Sequence, residues 1–206
     1  MLAIFKREFK SYFQNVIGWL FVAALLAVYG LYFYVYNLKN GYPYISYDLK
    51  GIGFIMMIAV PILTMRSLSD EKKTKTDQLM LTSPVSVGRI VAGKYLAMAA
   101  VYTIDIALFA LSPLVLSIYG KVALSEAYVA LFGYWLYGLS CIAVGLFISS
   151  ISESVIISAI LTFAALFLSY MMQSITGLIS SSENLLTKVL NCFDLYTPFE
   201  NFVSGC

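Results

Sequence analysis

Few residues in this chain are placed to do chemistry, and the most conspicuous is a carboxylate in apolar surroundings. Asp105 lies about ten residues into the hydrophobic run 95–118, where an ionisable group is costly unless paired or hydrated. Two readings are open: it lines a polar path or takes part in proton movement, or it is a carboxyl satisfied by nearby hydroxyls such as those of Tyr102 and Thr103. A second pattern, Gly88 to Tyr95 (GRIVAGKY), nearly spells a phosphate-binding loop. It fails because Tyr95 cannot place a small hydroxyl on magnesium, and because it precedes an apolar run instead of following a strand. There is no histidine, the commonest general base and metal ligand. Cys141, Cys192 and Cys206 have no CxxC spacing, so no zinc or redox pair is expected. Cys141 reads as a packing residue, while Cys192 and Cys206 would pair only on an oxidising side. Serines and glutamates are scattered with no histidine or paired acid beside them, so no catalytic residue, metal or cofactor site is expected in this chain.

The remaining charges are concentrated. Residues 68–93 form the one long polar stretch, with Asp70, Glu71, Lys72, Lys73, Lys75, Asp77, Gln78 and Arg89. Leu79, Met80 and Leu81 follow as an apolar patch, Thr82-Ser83-Pro84 breaks it, and Ser86 is placed to cap a new helix through Arg89 and Lys94. Read blandly, this is a solvated charge run. Read functionally, it is a helix lying against the membrane that something touches.

Whatever positions these groups sits in a bilayer. Of 206 residues, 61% are hydrophobic and 12% charged, with mean hydropathy +0.85. A soluble domain is about one-quarter charged, and one of this length cannot hide so much apolar surface from water. The apolar runs are long and show no period of two, which predicts an all-α integral membrane bundle. A net charge of +2 gives no reason to expect nucleic acid. Residues 1–16 carry Leu2, Phe5, Phe9, Tyr12, Phe13 and Val16 at steps of three and four, with Lys6, Arg7, Glu8 and Lys10 on the other face. That is either an interfacial helix or a tail extending the first span. Five spans follow near 17–36, 51–67, 95–118, 127–149 and 155–178. The loop 37–50 and the tail 179–206 fall on one side, and the segment 68–93 and the turn 149–154 on the other. Pro61 is expected to kink the second span. Gly133, Gly138 and Gly145 in the fourth span permit close helix packing.

Basic residues set the orientation. Lys6, Arg7, Lys10, Arg66, Lys72, Lys73, Lys75, Arg89 and Lys94 share the side of the N-terminus, and Lys39, Lys50, Lys121 and Lys188 the other, nine of the 13 against four. The positive side is the cytoplasm. The N-terminus and 68–93 are therefore expected inside and the tail outside.

The stretch Met65 to Ser86 (MRSLSDEKKTKTDQLMLTSPVS) resembles the first cytoplasmic loop of ABC-2-type permeases, most closely the branch related to the bacterial gliding-motility ABC permeases. The acidic–basic run Asp70 to Lys73, the block Thr76 to Pro84 and the trio Gly93-Lys94-Tyr95 carry the likeness, with Phe5 to Phe13 (FKREFKSYF) beside them. The resemblance covers nearly the whole chain, 1–206, as one transmembrane domain in a bacterial cell membrane. It implies a permease subunit of an ATP-driven exporter, paired with a second permease subunit and a cytosolic ABC ATPase that binds the ATP and magnesium. The coupling contact would involve Asp70, Glu71, Lys72, Lys73, Thr76, Asp77, Gln78, Leu79, Leu81, Thr82, Ser83 and Pro84, with Ser152 and Glu153 as a smaller second contact. More distant ABC-2 permeases have Gly in place of Lys75 and Glu in place of Gln78. The family also has a sixth span after the 179–206 equivalent, which is expected to be missing from this chain. Two other classes stay open: an ATP-independent secondary carrier using Asp105, and a truncated, non-transporting membrane protein.

Overall fold

The computed structural model describes residues 2–73, 75, 86–119, 122–179 and 195–204. Among these, every regular element is helical, as the long apolar runs predict. The order is α1 (Leu2–Gln14), α2 (Val16–Phe33) continued by a π-helical turn (Tyr34–Lys39), α3 (Ser46–Thr64), α4 (Ser69–Lys73), α5 (Val87–Phe109), α6 (Ser112–Tyr119), α7 (Leu124–Ile151), α8 (Val155–Ile179) and α9 (Tyr196–Ser204). Four stretches are long and apolar enough to cross a membrane: Val16–Lys39, Ser46–Lys73, Val87–Ile118 and Leu124–Ile151. A shorter apolar segment, Val155–Met171, lies in α8.

α3 is the hub of the bundle. It packs against α2, α7, α8 and α9, and 56% of its most apolar window is buried, against 28% for that of α2. The outward faces of α2 and α8 instead present Trp19, Leu20, Leu31, Ile156, Ile157, Ile160 and Leu168. Such faces suit hydrocarbon and would be a liability in water. α7 approaches its neighbours at glycines. A Cβ on Gly138 would run into the ring of Tyr102 in α5, and one on Gly145 would stand 2.5 Å from Thr64 Oγ1 in α3. Small residues at these two points let the backbones close up.

The run 95–118 is carried by two helices, not one. α5 begins at Val87 and ends at Phe109, and α6 starts after Ala110-Leu111. Pro113 is the cause, since it has no N–H for the carbonyl of Phe109 and its ring clashes there. The hydroxyl of Ser112 takes over, donating to that carbonyl at 2.7 Å, and in turn accepts from the phenol of Tyr29 on α2. The far end of α2 is fixed by Asn37 in the π-helical turn, whose amide donates to Asp48 in the first turn of α3. There the carboxylate also complements the positive end of the α3 dipole.

α9 caps the end of the bundle that holds Lys50, opposite α4. Tyr196 packs on Tyr170 of α8 at a ring-centroid distance of 4.5 Å, Phe199 stacks on Tyr137 of α7 at 5.1 Å, and Lys50 lies 3.8 Å from Glu200.

Candidate coupling site

The charged run that dominates the polar stretch begins as α4, a single helical turn. Asp70 and Glu71 occupy its first turn and Lys72 and Lys73 its last. This order matches the helix dipole at both ends. Lys75 then adopts a left-handed conformation (φ 57°), and its N–H bonds back to Lys72 O at 3.1 Å. That is a common way to stop a helix.

α4 is pinned to the end of α7 by a serine pair. Ser149 Oγ accepts from the backbone N–H groups of Leu68 and Ser69, each at 3.2 Å. Ser69 Oγ donates to the carbonyl of Ser149 at 3.1 Å, and Lys72 Nζ donates to that of Ser150. α7 ends at Ile151, so these are carbonyls of its last turn, which lack helical partners. Each element completes the other: α7 supplies an acceptor for the first N–H groups of α4, and α4 supplies donors for the last carbonyls of α7. Ser149→Ala would strip the acceptor from two backbone donors, one of them fully enclosed. A loss of about 1–3 kcal/mol is expected, read as a lower thermal midpoint in detergent together with faster amide exchange confined to 68–73.

A second set of bonds joins α4 to α5 and α1. Lys94, near the start of α5, is 2% exposed. Its ammonium donates to Ser67 O at 2.8 Å and to Glu71 Oε1 at 2.7 Å, and lies 3.5 Å from Glu8 Oε1 on α1. Glu8 also accepts from Arg7 Nη2 at 2.8 Å. One turn along α1, Tyr12 donates to Leu63 O at 3.4 Å. Burial, reinforced by the nearby carboxylate of Glu8, pushes the Tyr12 phenol well above its ordinary range, so it stays a donor. A cleft of about 460 Å³ opens beside this cluster, with Ser11, Asn15, Arg66 and Asp70 on its walls.

The two stretches singled out in sequence, 68–73 and 149–154, therefore meet. Within the second, Ser152 is buried in a local turn, its hydroxyl donating to Ser154 O at 2.9 Å, and Glu153 is exposed. Thr76, Asp77, Gln78, Leu79, Leu81, Thr82, Ser83 and Pro84 lie outside the described residues. Sequence reasoning missed Ser69, Ser149, Glu8 and Lys94 as members of the junction. Lys94 did carry a signal: a lone cation inside the apolar start of a span must find anions or carbonyls. Its ammonium is spent on protein oxygens.

Asp105 is a separate feature. Eleven residues beyond Lys94 on α5, it lies about 16 Å further along the helix axis. It is fully buried, and neither carboxyl oxygen has a hydrogen-bond partner among the described residues. The hydroxyls that sequence proximity offered are committed elsewhere. Tyr102 donates to Tyr134 O at 2.7 Å, and Thr103 donates to Ala99 O at 2.7 Å while accepting from Trp135 Nε1 at 3.1 Å. The phenol oxygen of Tyr134 is likewise buried without a partner.

Long apolar helices around a central α3, with a charged elbow braced at one end, define a multi-pass helical membrane protein. The family model for ABC-2 family transporter proteins matches residues 32–204, and the chain belongs to that family. It is thus a permease component of an ABC transporter. No curated protein and no solved structure matches it.

Proposed function

We propose that this chain is the membrane-spanning subunit of an ATP-driven exporter of the branch that resembles the gliding-motility permeases. It sits in a bacterial cell membrane with its N-terminus in the cytoplasm and works beside a second permease subunit. A separate cytosolic ATPase, holding ATP and magnesium, docks on the 68–93 segment, with Ser152 and Glu153 as a secondary contact. The observation that carries this reading is the brace on α4. The described start of the segment, which follows α3 in the chain, is bonded to the end of α7 and to Lys94 near the start of α5, and Lys94 also bonds the turn after α3. A force applied at a point fixed to three helices moves them as levers, which is how rigid-body gating by a docked motor operates. Asp105, a carboxyl without a hydrogen-bond partner among the described residues, is the candidate polar group of the translocation path.

Replacing 70–84 by a Gly/Ser linker of equal length tests this reading. The tagged wild-type chain is expected to co-purify with a soluble ATPase, and the linker variant to reach the membrane at normal levels without it. Retention of the ATPase by the linker variant would refute the coupling role. ATP-independent, ion-driven transport by the purified chain would instead establish the secondary-carrier alternative.

A further inference from the structure

Three stretches that are far apart in the chain place charged groups around one atom. FKREF supplies Glu8, the acidic–basic run supplies Glu71, and the GKY trio supplies Lys94, whose ammonium contacts both carboxylates. We propose that Lys94 is a positioning residue that locks α1, α4 and α5 into one moving body, so that the interfacial helix travels with the motor contact. This rests on the reading of 68–93 as the ATPase contact.

The geometry gives the lock its specificity. Lys94 has three donors, and the three oxygens around it come from three elements: Glu8 from α1, Ser67 O from the turn after α3, and Glu71 from α4. At 2% exposure the ammonium has little water to fall back on, so its donors depend on these protein oxygens. The same ammonium holds α1 against α5 through an ion pair, adding a charged tie to the packing of Ile4 on Gly93 and to the Tyr12 bond to α3. Apolar contacts let a helix slide in the interface, whereas a buried ion pair fixes its register. α1 is thereby turned from a float on the membrane surface into an arm of the coupling unit.

The test uses the complex of the full chain with its co-purified ATPase in nanodiscs. Amide exchange is followed by mass spectrometry with and without ATP–vanadate trapping. In the wild type, trapping should change protection both in 68–73 and in α1. In Lys94→Met the change in α1 should be lost. Glu8→Gln leaves Lys94 paired with Glu71 and so keeps the variant foldable if Lys94→Met is not. It should likewise lose the α1 response, and Lys94→Arg should keep it. An α1 response that persists undiminished in Glu8→Gln, or that is absent from the wild type while 68–73 responds, overturns the lock. If 68–73 itself is silent in a complex that hydrolyses ATP, the coupling reading beneath it falls instead.

Discussion

Gly138→Val should cost this protein a large share of its stability, with loss of the monodisperse peak in detergent or a large fall in the thermal midpoint. The first carbon of any side chain at 138 would collide with the ring and hydroxyl of Tyr102. Tyr102 has no room to retreat, since it is fully buried and its hydroxyl donates to Tyr134 O at 2.7 Å. Either α7 and α5 separate or the ring turns out. Separation forfeits contacts along both helices, and rotation leaves the Tyr134 carbonyl and a phenol without their bond. Overpacking costs about 1–3 kcal/mol and a broken buried hydrogen bond about 1–3 more, against a typical total of about 5–15. Gly30→Val is the matched control, because a Cβ there meets nothing within 4 Å. It should leave the midpoint nearly unchanged. Equal losses at the two positions would show that the effect comes from helix propensity and not from the approach of α7 to α5.

Asp105→Leu should do the reverse and stabilise the bundle. The native carboxyl is enclosed, with neither oxygen bonded among the described residues. Burying a polar group without a partner costs about 1–3 kcal/mol, and insertion of an ionised one at the centre of a span about 2.5–3.5. An apolar side chain branched at the same carbon removes that penalty, so a rise in thermal midpoint worth about 2 kcal/mol is expected. Asp105→Asn should gain less, because an amide still needs partners. Both variants should fail to restore transport in a complementation assay at normal expression. Stability gained as function is lost marks a residue kept for its chemistry. A fall in stability with Leu would reveal a partner for the carboxyl, and full complementation would remove Asp105 from the path.

How legible these features were depends on the range of the physics behind them. The helical, multi-span class follows from composition, because a chain with so few charges and such long apolar runs has one solvent that suits it. The dipole-matched order of Asp70 to Lys73 is equally local and visible. Pro113 was visible too, yet its effect is easy to overlook in a hydrophobic run, where hydropathy changes little across a break in the backbone.

Partner choice was not legible. Tyr102 and Thr103 stand closest to Asp105 in sequence, but helical geometry turns their hydroxyls to backbone carbonyls and away from the acid. Gly138 and Gly145 announced close packing without saying that Tyr102 and Thr64 would fill the space. The serines at 69 and 149 looked like ordinary turn residues until the end of α7 arrived beside α4. Lys94 was one more cation on the positive side of the chain until α1 and α4 brought carboxylates to it from either side. Hydrophobicity and dipole matching are sums over neighbouring residues, so the sequence determines them on its own. A buried hydrogen bond or ion pair is decided within a few tenths of an ångström by groups far apart in the chain, and only the packed bundle sets those distances.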